Sequence, residues 1–232
     1  MLLAFDFDGT LAPIVQDPAR ARMRPQTRRL LSAVARRYPC VVISGRARHD
    51  VLKRVGSVPV WQVSGNHGLE PWGQNATYLS QVQAWVRRLK RALATHEGVV
   101  VEDKTYSVTV HYRRAQHKRQ ALTAITEAVR GLHDARLLGG KDALSLIPRG
   151  APNKGVALER ARRLLACDTA VYVGDDETDE DAFKAGRGES LLGIRIGLRG
   201  RSAAQYGLGT QDDVDDLLQA LIDFRPLRRG SM

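Results

Sequence analysis

With 232 residues, 43% of them hydrophobic and 26% charged, the chain has the makeup of a soluble globular protein of one large domain or two small ones. No apolar run nears the roughly 18 residues that span a bilayer, and the start shows neither a basic leader nor a small-residue cleavage site, so membrane and secretory readings are set aside. The formal charge of +11 raises nucleic acid as a partner. The basic residues are nevertheless scattered, from Arg20 to Arg37 and along polar helix sides, without stacking aromatics or zinc-ligand spacing. Solvated faces explain them better than a nucleic-acid site, while the excess charge still attracts a phosphorylated metabolite. The two cysteines, Cys40 in an apolar run and Cys167 after a helix, read as reduced packing residues of a cytoplasmic protein. A monomer is the default expectation.

In chain order, the first element is the apolar run Leu2-Leu3-Ala4-Phe5, which delivers Asp6-Phe7-Asp8-Gly9-Thr10. It reads as a buried central strand ending in two carboxylates, and ligands of open α/β sheets bind beyond such strand ends. One ionised carboxylate there can attack phosphorus; the other can move protons for the leaving group and then for water. Like charges so close call for a counter-ion, and hard oxygen ligands beside a phosphate suit Mg²⁺. The competing reading is that Asp8-Gly9 is only a tight hairpin turn.

Pro25 opens a helix with Leu30, Leu31, Val34 and Tyr38 on one face, and Cys40 to Ile43 is the next buried strand. This β-helix-β spacing sets Ser44 beside Asp6 in a parallel sheet. Its hydroxyl can donate to a phosphate oxygen or cap a helix beginning near Arg48. Arg46 can add a charge-assisted contact to phosphate. A third strand, Val60 to Val63, runs into Ser64-Gly65-Asn66-His67-Gly68, a loop able to approach a ligand closely. Gly45, Arg46, Asn66 and His67 are accordingly candidate substrate-binding residues, with a purely structural role for His67 left open.

From Tyr78 the pattern changes. An amphipathic helix (Tyr78 to Leu93) is followed by strands Val99 to Lys104 and Ser107 to Arg113, a helix carrying Leu122, Ile125, Val129 and Leu132, and strands Arg136 to Leu138 and Ala143 to Ile147. Connections this short force antiparallel pairing, giving a small sheet covered by two helices on one face. Alternation puts Val108, Val110 and Tyr112 toward the helices and Ser107, Thr109 and His111 on the open face, with Glu102 and Lys104 sharing a face of the preceding strand. Those two are either a surface ion pair or a grip on sugar hydroxyls and phosphate.

The chain then returns to the first pattern. Asn153 can cap a helix beginning at Lys154, and a lysine in a first turn opposes the helix dipole unless it offsets carboxylates and phosphate nearby. Ala170 to Val173 is a buried strand delivering Gly174-Asp175-Asp176-Glu177-Thr178-Asp179. Asp175, first beyond the strand, is the candidate Mg²⁺ ligand, while Asp176 and Asp179 suit the orientation of waters or of Lys154. A strand (Leu192 to Ile196) and a helix (Val214 to Ile222) complete the core.

Four motifs, Asp6 to Thr10, Ser44, Lys154 and Gly174 to Asp179, together resemble the haloacid dehalogenase (HAD) superfamily of phosphotransferases. More narrowly, the chain resembles the trehalose 6-phosphate phosphatases. The likeness runs through Ile43-Ser44-Gly45-Arg46, Gly65-Asn66-His67-Gly68, Val101-Glu102-Asp103-Lys104 with His111-Tyr112-Arg113, and Val173 to Asp176 with Thr178 to Phe183. It implies an α/β fold, a HAD-like doubly wound parallel sheet core at 1–76 and 150–232 with a small α+β cap at 77–149. It implies Asp6 as nucleophile, Asp8 as general acid/base, Mg²⁺ on Asp6, the Asp8 carbonyl and Asp175, and phosphate on Ser44 and Lys154. Glu102 and Lys104 are implied to recognise a phosphorylated disaccharide. Where the family usually ends its last cap strand with a glutamate and an arginine before proline, this chain has Ser145 and Ile147. That departure leaves open sucrose 6-phosphate or a mannosyl or glucosyl phosphoglycerate as the substrate.

Overall fold

The computed structural model describes residues 1–72, 76–140, 142–186, 190–197 and 200–226. The chain divides into two compact units, Met1–Gly68 together with Asn153–Met232, and Leu69–Pro152.

The first unit is built on β1 (Leu2–Phe5), whose four side chains are at most 1% exposed. A strand buried on both faces needs apolar residues throughout, which is why this run shows no alternation. It pairs in parallel with β2 (Cys40–Ile43) on one side and β8 (Ala170–Gly174) on the other. The parallel pairing on both sides rules out a hairpin at Asp8-Gly9. With β3 (Gln62–Ser64), β9 (Leu191–Ile196) and β10 (Tyr206–Leu208) the sheet runs β10-β9-β8-β1-β2-β3. Leu3 and Phe5 pack toward α1 (Pro25–Ala35), α2 (Arg48–Val55) and α7 (Asp213–Phe224). Leu2 and Ala4 face the other way, onto α5 (Lys154–Leu164) and α6 (Glu180–Phe183). The chain winds outward from β1 in one direction and from β8 in the other, so the sheet reverses between them. Their carboxyl ends therefore flank the switch point at which such sheets open a crevice.

Two strands depart from expectation. The third begins at Gln62, not Val60, because the Val60 N–H is turned back to the Val58 carbonyl and ladder pairing starts only at Gln62 opposite Val41. β10 has no apolar run to announce it: it is three residues long, contains Gly207, and leaves Tyr206 62% exposed.

In the second unit, α3 (Ala76–Ala92) and α4 (Lys118–Val129) cover one face of an antiparallel sheet ordered β4-β5-β7-β6. Its strands are β4 (Val100–Asp103), β5 (Val108–His111), β6 (Ala135–Gly140) and β7 (Ala143–Pro148). Val108, Val110 and Leu146 pack with Trp85, Leu89 and Ile125 from the helices. On the opposite face the register aligns Glu102, Thr109, Ser145 and Leu138 in one row across the four strands. No helix among the described residues is long and apolar enough to cross a membrane.

Candidate active site

Asp6 leaves β1 at the switch point with its N–H bonded to the Val173 carbonyl of β8 at 2.9 Å. Asp175 leaves β8 on the neighbouring strand. Between them sits Gly9, whose φ of +83° and missing Cβ let the turn lie against the Asp175 carboxylate; a Cβ there would be 2.1 Å from Oδ2.

Lys154 ties the two strand ends together. Asn153 caps α5 by accepting the Val156 N–H at 3.0 Å, which places Lys154 in the first turn pointing inward, its side chain 2% exposed. Its ammonium donates to Asp6 Oδ1 at 2.9 Å and to Asp179 Oδ1 at 2.8 Å, with Asp176 Oδ1 at 3.9 Å. Burial opposes its charge, yet Asp179 and Asp6 outweigh burial and hold its pKa well above the usual lysine value. Lys154 is thus a first-turn lysine that offsets nearby carboxylates.

Asp179 is saturated. Besides Lys154, its Oδ1 accepts the Tyr172 hydroxyl at 2.6 Å, and its Oδ2 accepts the N–H groups of Asp175 at 2.9 Å and Asp176 at 3.0 Å. Burial raises its pKa, with Lys154 opposing. Asp176 closes the turn by accepting Thr178 N–H at 2.8 Å and the Thr178 hydroxyl at 2.7 Å. Burial would raise its pKa too, but Lys154, Thr178 and His67 outweigh that and hold it at about 2.

Asp175 differs from both. Its Oδ1 is buried without a hydrogen-bond partner, and burial followed by the charges of Asp176 and Asp179 pushes its pKa up to about 8. Burial also raises Asp6 well above the carboxylate range, against the pull of Lys154. Carboxylate oxygens of Asp6, Asp175 and Asp179 lie within 4.8 Å of one another. An unpartnered buried oxygen beside a second carboxylate is a donor set that suits a hard divalent cation. Asp179 has its acceptor positions filled by four donors, so Asp6 and Asp175 are the side chains with room for such an ion.

Asp8 points elsewhere. Arg46 Nε and Nη2 grip its Oδ2 and Oδ1 at 2.6 and 2.7 Å, while Arg46 Nη1 reaches Asp50 Oδ2 at 2.8 Å and Nη2 also meets the Pro18 carbonyl at 2.8 Å. The Arg46 guanidinium is thus engaged by Asp8, Asp50 and the Pro18 carbonyl together. Ser44 is 1% exposed; its hydroxyl accepts the Arg46 N–H at 3.2 Å, and the helix after it starts from Ala47 with no side-chain cap, so Ser44 is not a helix cap. Asn66 and His67 adopt left-handed conformations, φ 48° and 57°, pinned by N–H bonds to the Arg46 and Ser44 carbonyls at 2.7 and 2.9 Å. The His67 ring closes over Gly45, where a Cβ would lie 2.6 Å from its Cε1.

Known proteins match the chain in sequence and in fold. The family model described as trehalose-phosphatase matches residues 4–205. The chain belongs to the trehalose-phosphatase family. The trehalose-phosphate phosphatase of Mycobacterium avium is 40% identical over 247 aligned residues, taking in 97% of this chain and 62% of that protein. The chain thus spans about 62% of the length of the first curated relatives it matches. The solved C-terminal domain of the C. albicans trehalose-6-phosphate phosphatase is similar at a TM-score of 0.81 and 25% identity, covering 96% of this chain and 91% of that one. A haloacid dehalogenase-like hydrolase from B. subtilis shares the fold at a TM-score of 0.59 and 17% identity, over 94% of this chain and 98% of that one. The expected HAD-like class, a parallel sheet core with an antiparallel cap sheet, is the fold observed.

Of the residues expected in the family's site, Asp6, Asp8, Ser44, Gly45, Arg46, Asn66, His67, Lys154, Asp175, Asp176 and Asp179 all lie in the first unit. Glu102 and Lys104 lie in the second, where Glu102 Oε2 is 2.7 Å from His111 Nε2 and 3.8 Å from Lys104 Nζ. Sequence reasoning missed Tyr172 and Asp50. A lone tyrosine in an aliphatic central strand signals a buried hydroxyl needing a partner, and Asp50 stands one helical turn after Arg46.

Proposed function

We propose that the chain is a Mg²⁺-dependent phosphatase that releases phosphate from trehalose 6-phosphate through an aspartyl phosphate on Asp6. The observation that carries the chemistry is the buried Lys154 ammonium bridging Asp6 and Asp179 beside the unpartnered Asp175 oxygen. Family membership and the activities for which its relatives are named support the sugar.

Asp6 offers one oxygen to Lys154, which leaves the other to attack phosphorus. Lys154 keeps a third N–H for a phosphoryl oxygen, since two are committed to Asp6 and Asp179. Ser44 donates its hydroxyl to another. Asp8 gives a proton to the departing sugar oxygen and takes one from the water that then attacks the aspartyl phosphate. Asp6, the Asp8 carbonyl and Asp175 would hold Mg²⁺, which would supply positive charge to offset the phosphoryl oxygens. Asp176 and Asp179 orient the cluster, Asp179 by fixing Lys154. Asn66, His67 and Gly45 shape the phosphate loop. In the second unit, Glu102 and Lys104 recognise the sugar. The two free cysteines support a reducing, cytoplasmic setting.

A second reading keeps the chemistry and changes the sugar. It is favoured by Ser145, whose hydroxyl is already bonded to Thr109 at 2.8 Å on the polar row with Glu102. Phosphate release is measured with trehalose 6-phosphate, sucrose 6-phosphate, glucose 6-phosphate and mannosyl and glucosyl phosphoglycerates, with and without chelator. Trehalose 6-phosphate is expected to give much the highest kcat/KM, with loss on chelation and in Asp6→Asn. A different leading sugar selects the second reading, and turnover surviving in Asp6→Asn refutes the mechanism.

A further inference from the structure

The Asp8–Arg46 pair uses the guanidinium in a way that neither the motif nor the proposed chemistry assigns. Four of the five N–H donors of Arg46 are committed, two to the separate oxygens of Asp8, one to Asp50 and one to the Pro18 carbonyl. The Arg46 side chain is only 13% exposed, and that of Asp8 is 36% exposed. Asp50 is itself held from the far side by Arg54 Nε, 3.0 Å from each of its oxygens. The result is a relay, Arg54 to Asp50 to Arg46 to Asp8, running from α2 to the loop after β1. A planar fork anchored on three sides fixes the plane and the reach of the carboxylate it grips. Arg46 turned to phosphate would have to abandon this grip. By contrast, among the described residues the Asp8 carboxylate is hydrogen-bonded by Arg46 alone, so the orientation of Asp8 depends on that residue.

We infer that Arg46 is a positioning residue for the proton-transfer step: the fork of Arg46, braced by Asp50 and Arg54, aims the Asp8 carboxyl at the leaving-group oxygen, and it does not serve as a phosphate ligand. This inference rests on the phosphatase reading and adds to it a residue whose effect depends on how badly the leaving group needs a proton. Departure of an alkoxide or phenoxide breaks the P–O bond with a proton delivered to that oxygen, whereas p-nitrophenoxide leaves as a stable anion. General acid assistance of about 10²- to 10⁴-fold is thus at stake for the first kind and little for the second.

The test compares phenyl phosphate with p-nitrophenyl phosphate for the wild-type chain, Arg46→Gln, Arg46→Lys, Asp8→Asn and the Arg46→Gln/Asp8→Asn double variant. Arg46→Gln is expected to lose at least tenfold more kcat/KM, which reports the step in which the leaving group departs, on phenyl phosphate than on p-nitrophenyl phosphate. Arg46→Lys, which keeps the charge without the fork, should show the same bias to a smaller degree. In the double variant the bias should be no larger than in Asp8→Asn alone, because both substitutions remove one device. Equal losses of kcat/KM on the two esters, or a rise in KM shared by both with kcat kept, would make Arg46 a phosphate contact and overturn the inference. A bias in the double variant well beyond that of Asp8→Asn would overturn it too. Turnover of p-nitrophenyl phosphate reports that each variant is folded, and should Arg46→Gln fail to fold, Arg46→Lys decides alone. The aryl esters carry no sugar, so failure of the trehalose reading shows separately, in the wild-type chain with trehalose 6-phosphate.

Discussion

Gly9→Ala separates stability from chemistry at the point where the turn after β1 touches Asp175. A Cβ there would stand 2.1 Å from Asp175 Oδ2, 2.3 Å from Cγ and 2.6 Å from Oδ1. Non-bonded heavy atoms settle at about 3.5 Å, so the carboxylate must withdraw by more than about 1 Å. The neighbour is a side chain, which can swing away; the fold survives and the geometry does not. A misplacement of about 1 Å at reacting groups costs on the order of 10²-fold, equivalent to about 2.7 kcal/mol of barrier. The backbone adds a separate cost, because φ of +83° is left-handed and disfavours a residue with a Cβ by about 1–2 kcal/mol. The assay pairs kcat at saturating Mg²⁺ with a urea melt on the same preparation. The expected result is kcat down about 100-fold and stability down by only about 1–2 kcal/mol. Wild-type kcat and wild-type Mg²⁺ dependence alongside that stability loss would refute the placement of Asp175 in the chemistry.

Lys154→Met leaves Asp6 and Asp179 buried without their cation, and breaking a buried pair costs about 3–5 kcal/mol; urea melts should show that loss, and phosphatase turnover should vanish. Tyr172→Phe removes the hydroxyl that donates to Asp179 at 2.6 Å, and the stability loss expected for a bond to a charged acceptor is about 1.5–3 kcal/mol. Burial would raise the pKa of Asp50, but hydrogen bonds from Arg54 and Arg46 outweigh it and hold the pKa below the usual 3.8. The stabilisation is therefore present above the unfolded-state value and lost as pH falls through the lowered one. Asp50→Asn should be less stable than the wild-type chain at neutral pH, with the gap closing in denaturant melts at progressively lower pH. Burial pushes the Cys40 thiol up to about 12, whereas Cys167 is part-exposed, so mass spectrometry after brief alkylation of the native chain should find label on Cys167 first.

What the sequence discloses here follows the range over which each force acts. β1 is legible because four apolar residues closed by a turn signal have few uses other than a central strand. The meeting of Asp6, Lys154, Asp175 and Asp179 is legible because successive parallel strands bring their ends to one edge. β10 is not, since its pairing with β9 rests on neighbouring backbone and not on an apolar run of its own. Side-chain pairing is harder still. From the sequence Arg46 read only as a phosphate contact, and it is the fold that shows Asp50, in the first turn of α2, and the Pro18 carbonyl holding the guanidinium toward Asp8. The burial of Lys154 was inferable from its unfavourable place in a helix first turn. The link from Lys154 through Asp179 to Tyr172 was hidden by a residue that reads as mere strand filler.

The central claim is that Asp6 carries the phosphoryl group. The direct measurement is a rapid quench of the chain with radiolabelled trehalose 6-phosphate and Mg²⁺, followed by peptide mapping of any label retained on protein. The account predicts transient label confined to the peptide holding Asp6, discharged by hydroxylamine as an acyl phosphate is and absent from Asp6→Asn. Full turnover with no protein-bound label at any time, together with inversion at phosphorus in a chiral phosphate ester, would contradict it, since a covalent intermediate formed and broken by two in-line steps gives retention.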